Sequence, residues 1–144
     1  MKLRNIDMVV IMNNIEKFKD IKLPQRISYA ITKNNMLLIE EQKVYMEEFN
    51  KITKEFDDYL IKDDNGNLKL NSNGIPMVQK EVEKEYLTKV NDLLNIEFEI
   101  NLFKIDEGCF NYDDTVGKYD VLSPSEIMFL QSFLCKDNKG KSDK

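Results

Sequence analysis

Histidine occurs nowhere in this chain, so any chemistry near neutral pH would fall to carboxylates, lysines or cysteines. Its absence removes the usual general base and the commonest metal ligand. It also removes every Ser–His or Cys–His nucleophile arrangement. Neither a GxxxxGK[ST] nor a GxGxxG loop is present, and five glycines offer little backbone for cradling phosphate. Carboxylates remain, in three groupings. Asp63-Asp64-Asn65-Gly66-Asn67 invites comparison with a calcium loop. Aligning Gly66 on the loop glycine, however, puts Ile61 at the first ligand position and Ser72 where the bidentate glutamate belongs. An inter-element turn fits that composition better. Asp113-Asp114, after Asn111-Tyr112, could pair with another carboxylate around a hard cation, but two adjacent acids in a polar loop without a full ligand set read as solvated. Cys109 and Cys135 lack CxxC spacing and read as small core hydrophobes in a reducing compartment. These absences argue for a non-enzymatic protein with no cofactor and no metal.

The third grouping is the most extended. Glu40, Glu41, Glu47, Glu48, Glu55, Asp57 and Asp58 crowd one amphipathic run, with Lys43, Lys51 and Lys54 among them. Two readings stand side by side. One is a solvated face braced by i,i+4 pairs such as Glu47–Lys51. The other is a negative rod offered to a basic groove on another protein, such as a nucleic-acid channel. On the second reading, partner-binding residues are Glu40, Glu47, Glu48, Glu55, Asp57, Asp58, Tyr59, Asp63 and Asp64.

The element that carries these acids is long. Residues 24–60 place Ile27, Ile31, Leu38, Tyr45, Phe49, Ile52, Phe56 and Leu60 at steps of three, four or seven, without internal Gly or Pro. That spacing predicts one helix of roughly 55 Å, longer than a core of this size covers, so that part of it would serve a partner. Phe49, as a core residue on this stripe, would cost about 3–5 kcal/mol on truncation to Ala. A shorter helix is expected over 6–18, with Ile6, Val9, Val10, Ile15 and Phe18 inward and Asn5 or Asp7 as cap. Residues 68–70 and 75–78 read as short strands around turns, with Pro76 confined to an edge or loop. A third helix over 79–95 carries Val82, Tyr86, Val90, Leu93 and Leu94 and should fold back antiparallel on the long one. Residues 96–102 alternate strictly, predicting a strand whose partner lies near Leu3, Cys109-Phe110 or 119–122. Ser123-Pro124-Ser125-Glu126 is a capping box opening a last helix through Ile127, Leu130, Phe133 and Leu134. No internal repeat is evident.

The fold expected is α+β and mostly helical: a long central helix in an antiparallel helical hairpin, with a small antiparallel sheet. A single domain would span 1–135, followed by a disordered polar tail over 136–144. With 144 residues, 42% apolar and 33% charged, a soluble domain with one core is expected. A net charge of −5 disfavours direct nucleic-acid binding, which needs a concentrated basic face. No run approaches the roughly 20 apolar residues of a membrane span, and no secretion signal is apparent.

Several segments resemble a family of small uncharacterised proteins encoded by phages and prophages of low-GC bacteria. They are Lys2-Leu3-Arg4-Asn5, Leu23-Pro24 with Ser28-Tyr29-Ala30-Ile31-Thr32-Lys33-Asn34, Lys62 through Asn67, the 96–102 strand, and Leu122-Ser123-Pro124-Ser125-Glu126-Ile127. The resemblance spans most of the chain and supplies no catalytic residues. It implies a phage protein of the host cytoplasm acting by stoichiometric binding to a host or phage protein. Small acidic phage proteins of this kind resemble anti-CRISPR and other anti-defence inhibitors of a host nuclease or effector. The alternatives are a virion structural or assembly accessory, and a homo-oligomeric sponge that sequesters a nucleotide signal.

Overall fold

The apolar stripe of residues 24–60 folds as one helix, α2 (Gln25–Glu55), in a computed structural model that describes residues 1–136. Pro24 stands immediately ahead of it, its carbonyl accepting the Ser28 N–H at 3.0 Å. The helix is shorter than its sequence pattern predicts, 31 residues or about 46 Å. It stops because Phe56 leaves helical geometry (φ −105°, ψ 19°) and turns into a core. Asp57 and Asp58 then open a short 3-10 turn (Asp57–Tyr59). Among the described residues the architecture is α+β and mostly helical, with an antiparallel helical hairpin and one two-stranded antiparallel sheet. The tail expected over 136–144 lies, beyond Lys136, outside the described residues.

Two compact units lie within the span expected to be a single domain, and α2 contributes to both. The first unit takes Val9–Ile39, Met1 and the described residues from Glu99 onward. Ile27, Ala30, Ile31 and Leu38 bury the N-terminal half of α2 there, alongside Ile105, Leu130 and Leu134. Asn34 is fully buried on the same face. Its amide nitrogen donates to the Phe103 carbonyl at 2.9 Å, and its oxygen accepts the Phe103 N–H at 2.6 Å. One side chain thus satisfies both polar groups of a strand-like residue. The last helix, α4 (Pro124–Leu134), has the expected capping box: Ser123 accepts from the Glu126 N–H, and Glu126 accepts from the Ser123 N–H at 2.8 Å.

The second unit takes Lys2–Met8 and Glu40–Phe98. Its core is Phe56, Val78, Tyr86 and Val90, flanked by Phe49, Ile52, Leu60 and Ile75. The helix α3 (Lys80–Leu94) returns against α2, with Phe56 edge-on to Tyr86 at 5.3 Å and Lys89 paired with Glu55. Strand β1 (Lys2–Arg4) pairs with β2 (Glu97–Glu99). The Asn5 amide then donates to the Leu93 carbonyl at 2.8 Å, a second partner for an acceptor that also takes the Ile96 N–H at the end of α3.

Three local expectations need correction. In α1 (Asn5–Ile15) the inward positions are Asn5, Met8 and Ile15, with Phe18 in the 3-10 turn that follows, while Ile6 and Val10 are 38% and 53% exposed. Spacings of three and seven define that face, and Ile6 and Val10 fall off it. Neither Asn5 nor Asp7 is the N-cap. Asp7 instead reaches back to the Arg4 N–H at 2.9 Å, the second half of a capping box. The 96–102 strand pairs over only three residues, Glu97–Glu99 opposite Lys2–Arg4, with Asn5 donating to the Ile96 carbonyl at one end and Ile100 to the Met1 carbonyl at the other; Ile96 is 54% exposed. Of its candidate partners only the Leu3 segment pairs, and Cys109-Phe110 forms a 3-10 turn.

Core truncations should rank by burial. Phe56→Ala should cost about 3–5 kcal/mol, and half-buried Phe49→Ala visibly less, about 1–3 kcal/mol, in denaturant unfolding; equal costs would contradict this packing. A pH effect follows from α4. The Ser123 backbone N–H, helped by its side chain, holds the Glu126 carboxyl below its ordinary value of 4.5. A lowered folded pKa stabilises above the unfolded value and loses that contribution as pH falls through the folded one. The Tm gap between wild type and Glu126→Gln should therefore be full at pH 7 and shrink as the pH falls from the ordinary value of 4.5 through the lowered one. A constant gap would remove the cap from the acid response.

Candidate functional site

All nine sequence-derived partner residues fall in the second unit. Residues 40–64 hold nine carboxylates and four lysines, a net −5 that equals the net charge of the whole chain. The rest of the protein is therefore neutral overall, and its excess charge sits on one stretch. The helix sorts these acids by neighbour. Glu40 pairs with Lys43 at 3.1 Å, Glu48 with Lys51 at 2.9 Å, and Glu55 with Lys89 of α3. Lys51 thus takes Glu48, at i,i+3, in place of the Glu47 expected at i,i+4. Glu48 raises the Lys51 pKa, with Glu47 adding to the field. These pairs are exposed and screened by solvent, so they add little to stability.

Unpaired charge collects beyond the end of α2. Asp57, Asp58 and Asp64 are exposed and have no ion pair among the described residues; Glu41 and Glu47 are likewise unpaired. Tyr59 sits between these acids, 38% exposed. Asp63 is spent on holding a turn, since its Oδ1 accepts the N–H groups of Asn65 at 2.9 Å and Asn67 at 3.0 Å. That turn closes with Gly66 at φ 82°, a conformation that suits glycine.

Eight residues later the same device recurs. Asn71 Oδ1 accepts from Asn73 at 2.8 Å and Ile75 at 3.0 Å, and Gly74 takes φ 78°. The chain therefore does hold a short repeat, Asp63-x-Asn65-Gly66 and Asn71-x-Asn73-Gly74. The two turns fold 60–78 into three extended segments that pair in a ring. Bridges join Leu60 to Val78, Lys62 to Leu68 and Leu70 to Pro76, all antiparallel. At its centre Lys69 donates to Ile61 (2.9 Å), Ile61 to Met77 (3.0 Å) and Met77 to Lys69 (2.8 Å). Pro76, expected at an edge, is a bridge partner here, since donation falls to its neighbour Met77. Val78, Leu60 and Ile75 pack on the unit's core, while Leu68, Leu70 and Met77 stay 39%, 55% and 40% exposed. Sequence reasoning missed this apolar outer surface; the eight-residue spacing of the two turns was the available signal.

No family model, curated protein or solved structure matches the chain.

Other chemistry-bearing groups are occupied locally. Asp113 Oδ1 accepts the N–H and hydroxyl of Thr115, which lower its pKa. Cys109 and Cys135 are free and half-buried rather than fully buried. Burial, then the nearby Glu107 charge, pushes the Cys135 thiol up and away from thiolate chemistry. Among the described residues no cluster of histidine, cysteine and carboxylate groups could hold a metal ion, and no helix is long and apolar enough to cross a membrane. The arrangement is a closed ring with exposed apolar residues, and the unpaired Asp57, Asp58 and Asp64 lie in or next to the same segment.

Asp63→Ala removes two turn hydrogen bonds and should cost about 1–2 kcal/mol. Because the ring closes on itself, amide exchange at Ile61, Lys69 and Met77 should quicken together. Faster exchange confined to Asn65 and Asn67 would show that the segments hold one another without the turn.

Proposed function

We propose that this protein works without catalysis, by one-to-one binding of a basic surface on another protein. The reading rests on one observation: the chain's entire net negative charge lies in residues 40–64, and part of what is unpaired, Asp57, Asp58 and Asp64, lies in or next to the segment that forms the exposed apolar ring. Such a surface speeds encounter with a cationic groove through long-range attraction, and its apolar residues then supply contact area that excludes water. The partner with the most demanding cationic groove is one built for nucleic acid. With the likeness to phage-encoded proteins, this supports an anti-defence inhibitor of the anti-CRISPR type. It would act in the host cytoplasm by occupying the nucleic-acid channel of a nuclease or effector.

Titration of purified protein against a host defence nuclease should abolish cleavage near an equimolar ratio, with weaker inhibition as salt rises. Glu47→Lys with Glu48→Lys should leave stability within about 0.5 kcal/mol. The same pair, and Asp57→Lys with Asp58→Lys, should weaken inhibition about tenfold or more. Full inhibition by both charge-reversed proteins would sink the acidic surface. Recovery of the chain in purified virions, without any inhibition, would favour an assembly role instead.

A further inference from the structure

The first unit holds a cavity of about 360 Å³ where the start of α2 meets the 103–106 segment. Its size falls near the lower end of small-molecule pockets, roughly 300–1,000 Å³. Two features of its wall belong together. Tyr29 and Phe103 meet edge-to-face at 5.3 Å and 72°, yet are 55% and 39% exposed, so a concave site presents bare aromatic surface. Both are held in place. Tyr29 sits in the first turns of α2, and the Asn34 clamp fixes Phe103 by its backbone.

The second feature is charge. Arg26, Lys104 and Lys136 line the same cavity against one acid, Asp106. Asp106 is already matched by Lys136 at 3.8 Å, and the Lys104 ammonium is anchored on the Phe133 carbonyl at 2.8 Å. Arg26 has no ion pair among the described residues, and it lies in the first turn of α2, where backbone N–H groups and the helix dipole add to its pull on anions. The cavity is thus aromatic on one wall and net positive beside it.

We infer that this cavity is a binding site for a small aromatic anion of the mononucleotide class. The base would stack on Tyr29 beside Phe103, and the phosphate would sit on Arg26 at the head of α2. Planar rings gain from such aromatic surface whatever their substituents, while the guanidinium offers a two-pronged fit to phosphate oxygens. The site shares no residue with the acidic surface of the second unit, so the two stand or fall separately.

Calorimetric titration of the full chain with AMP, GMP, CMP and UMP tests the site, with adenosine and inorganic phosphate as half-ligands. At least one mononucleotide should bind, and each half-ligand should bind about tenfold more weakly or worse. Arg26→Gln should cut nucleotide affinity about tenfold and leave adenosine unchanged. Tyr29→Ala should weaken both. Both side chains are exposed, so thermal melts of these variants should match wild type. Three results would overturn the site: no binding of any mononucleotide up to about 1 mM, inorganic phosphate binding as tightly as the nucleotides, or nucleotide binding indifferent to both substitutions.

Discussion

The apolar stripe of α2 is the constraint from which the rest follows. A helix of 31 residues cannot bury such a stripe in one small core, and here it is divided. Ile27, Ala30, Ile31 and Leu38 are buried with one set of elements, and Ile52 and Phe56 with another. The length that suggests an overhang awaiting a partner is therefore largely used inside the protein. What it leaves for solvent is a mostly polar flank that carries the acids, with Tyr29, Met36, Val44 and Met46 exposed among them.

Polar residues at buried positions do the locating that apolar burial cannot. Hydrophobic contact is non-directional, but a buried amide must meet its partners at fixed distance and angle. Asn34 fixes the height at which residue 103 lies along α2, and Asn5 fixes β1 against the end of α3. Loss of the Asn34 side chain would leave the Phe103 N–H and carbonyl without that match, a penalty larger than the bonds' own net contribution.

Elements whose determinants lie close in sequence are legible there. The Ser123–Glu126 box, the α3 stripe and the Asp63–Gly66 turn each need only neighbouring residues, and each forms where its pattern stands. Sequence pattern misleads where apolar character is not burial, as at Ile6 and Val10, or where a stripe runs past its helix, as at Leu60. The ring of 60–78 is invisible for another reason. Its hydrogen bonds join Ile61, Lys69 and Met77, and no local propensity encodes that closure. Asn34 looks like a gap in a hydrophobic stripe, since its meaning lies in residue 103. The acidic stretch is legible as solvent-facing polarity, but which acids find lysines depends on side-chain reach.

The closed ring has a consequence for recognition. Each of its three segments pairs with both of the others, so within it no segment presents an open edge. An open edge would invite another chain to add a strand, through backbone contacts indifferent to sequence. Closure removes that route within the ring, and what the ring turns outward is side chains, Leu68, Leu70 and Met77 among them.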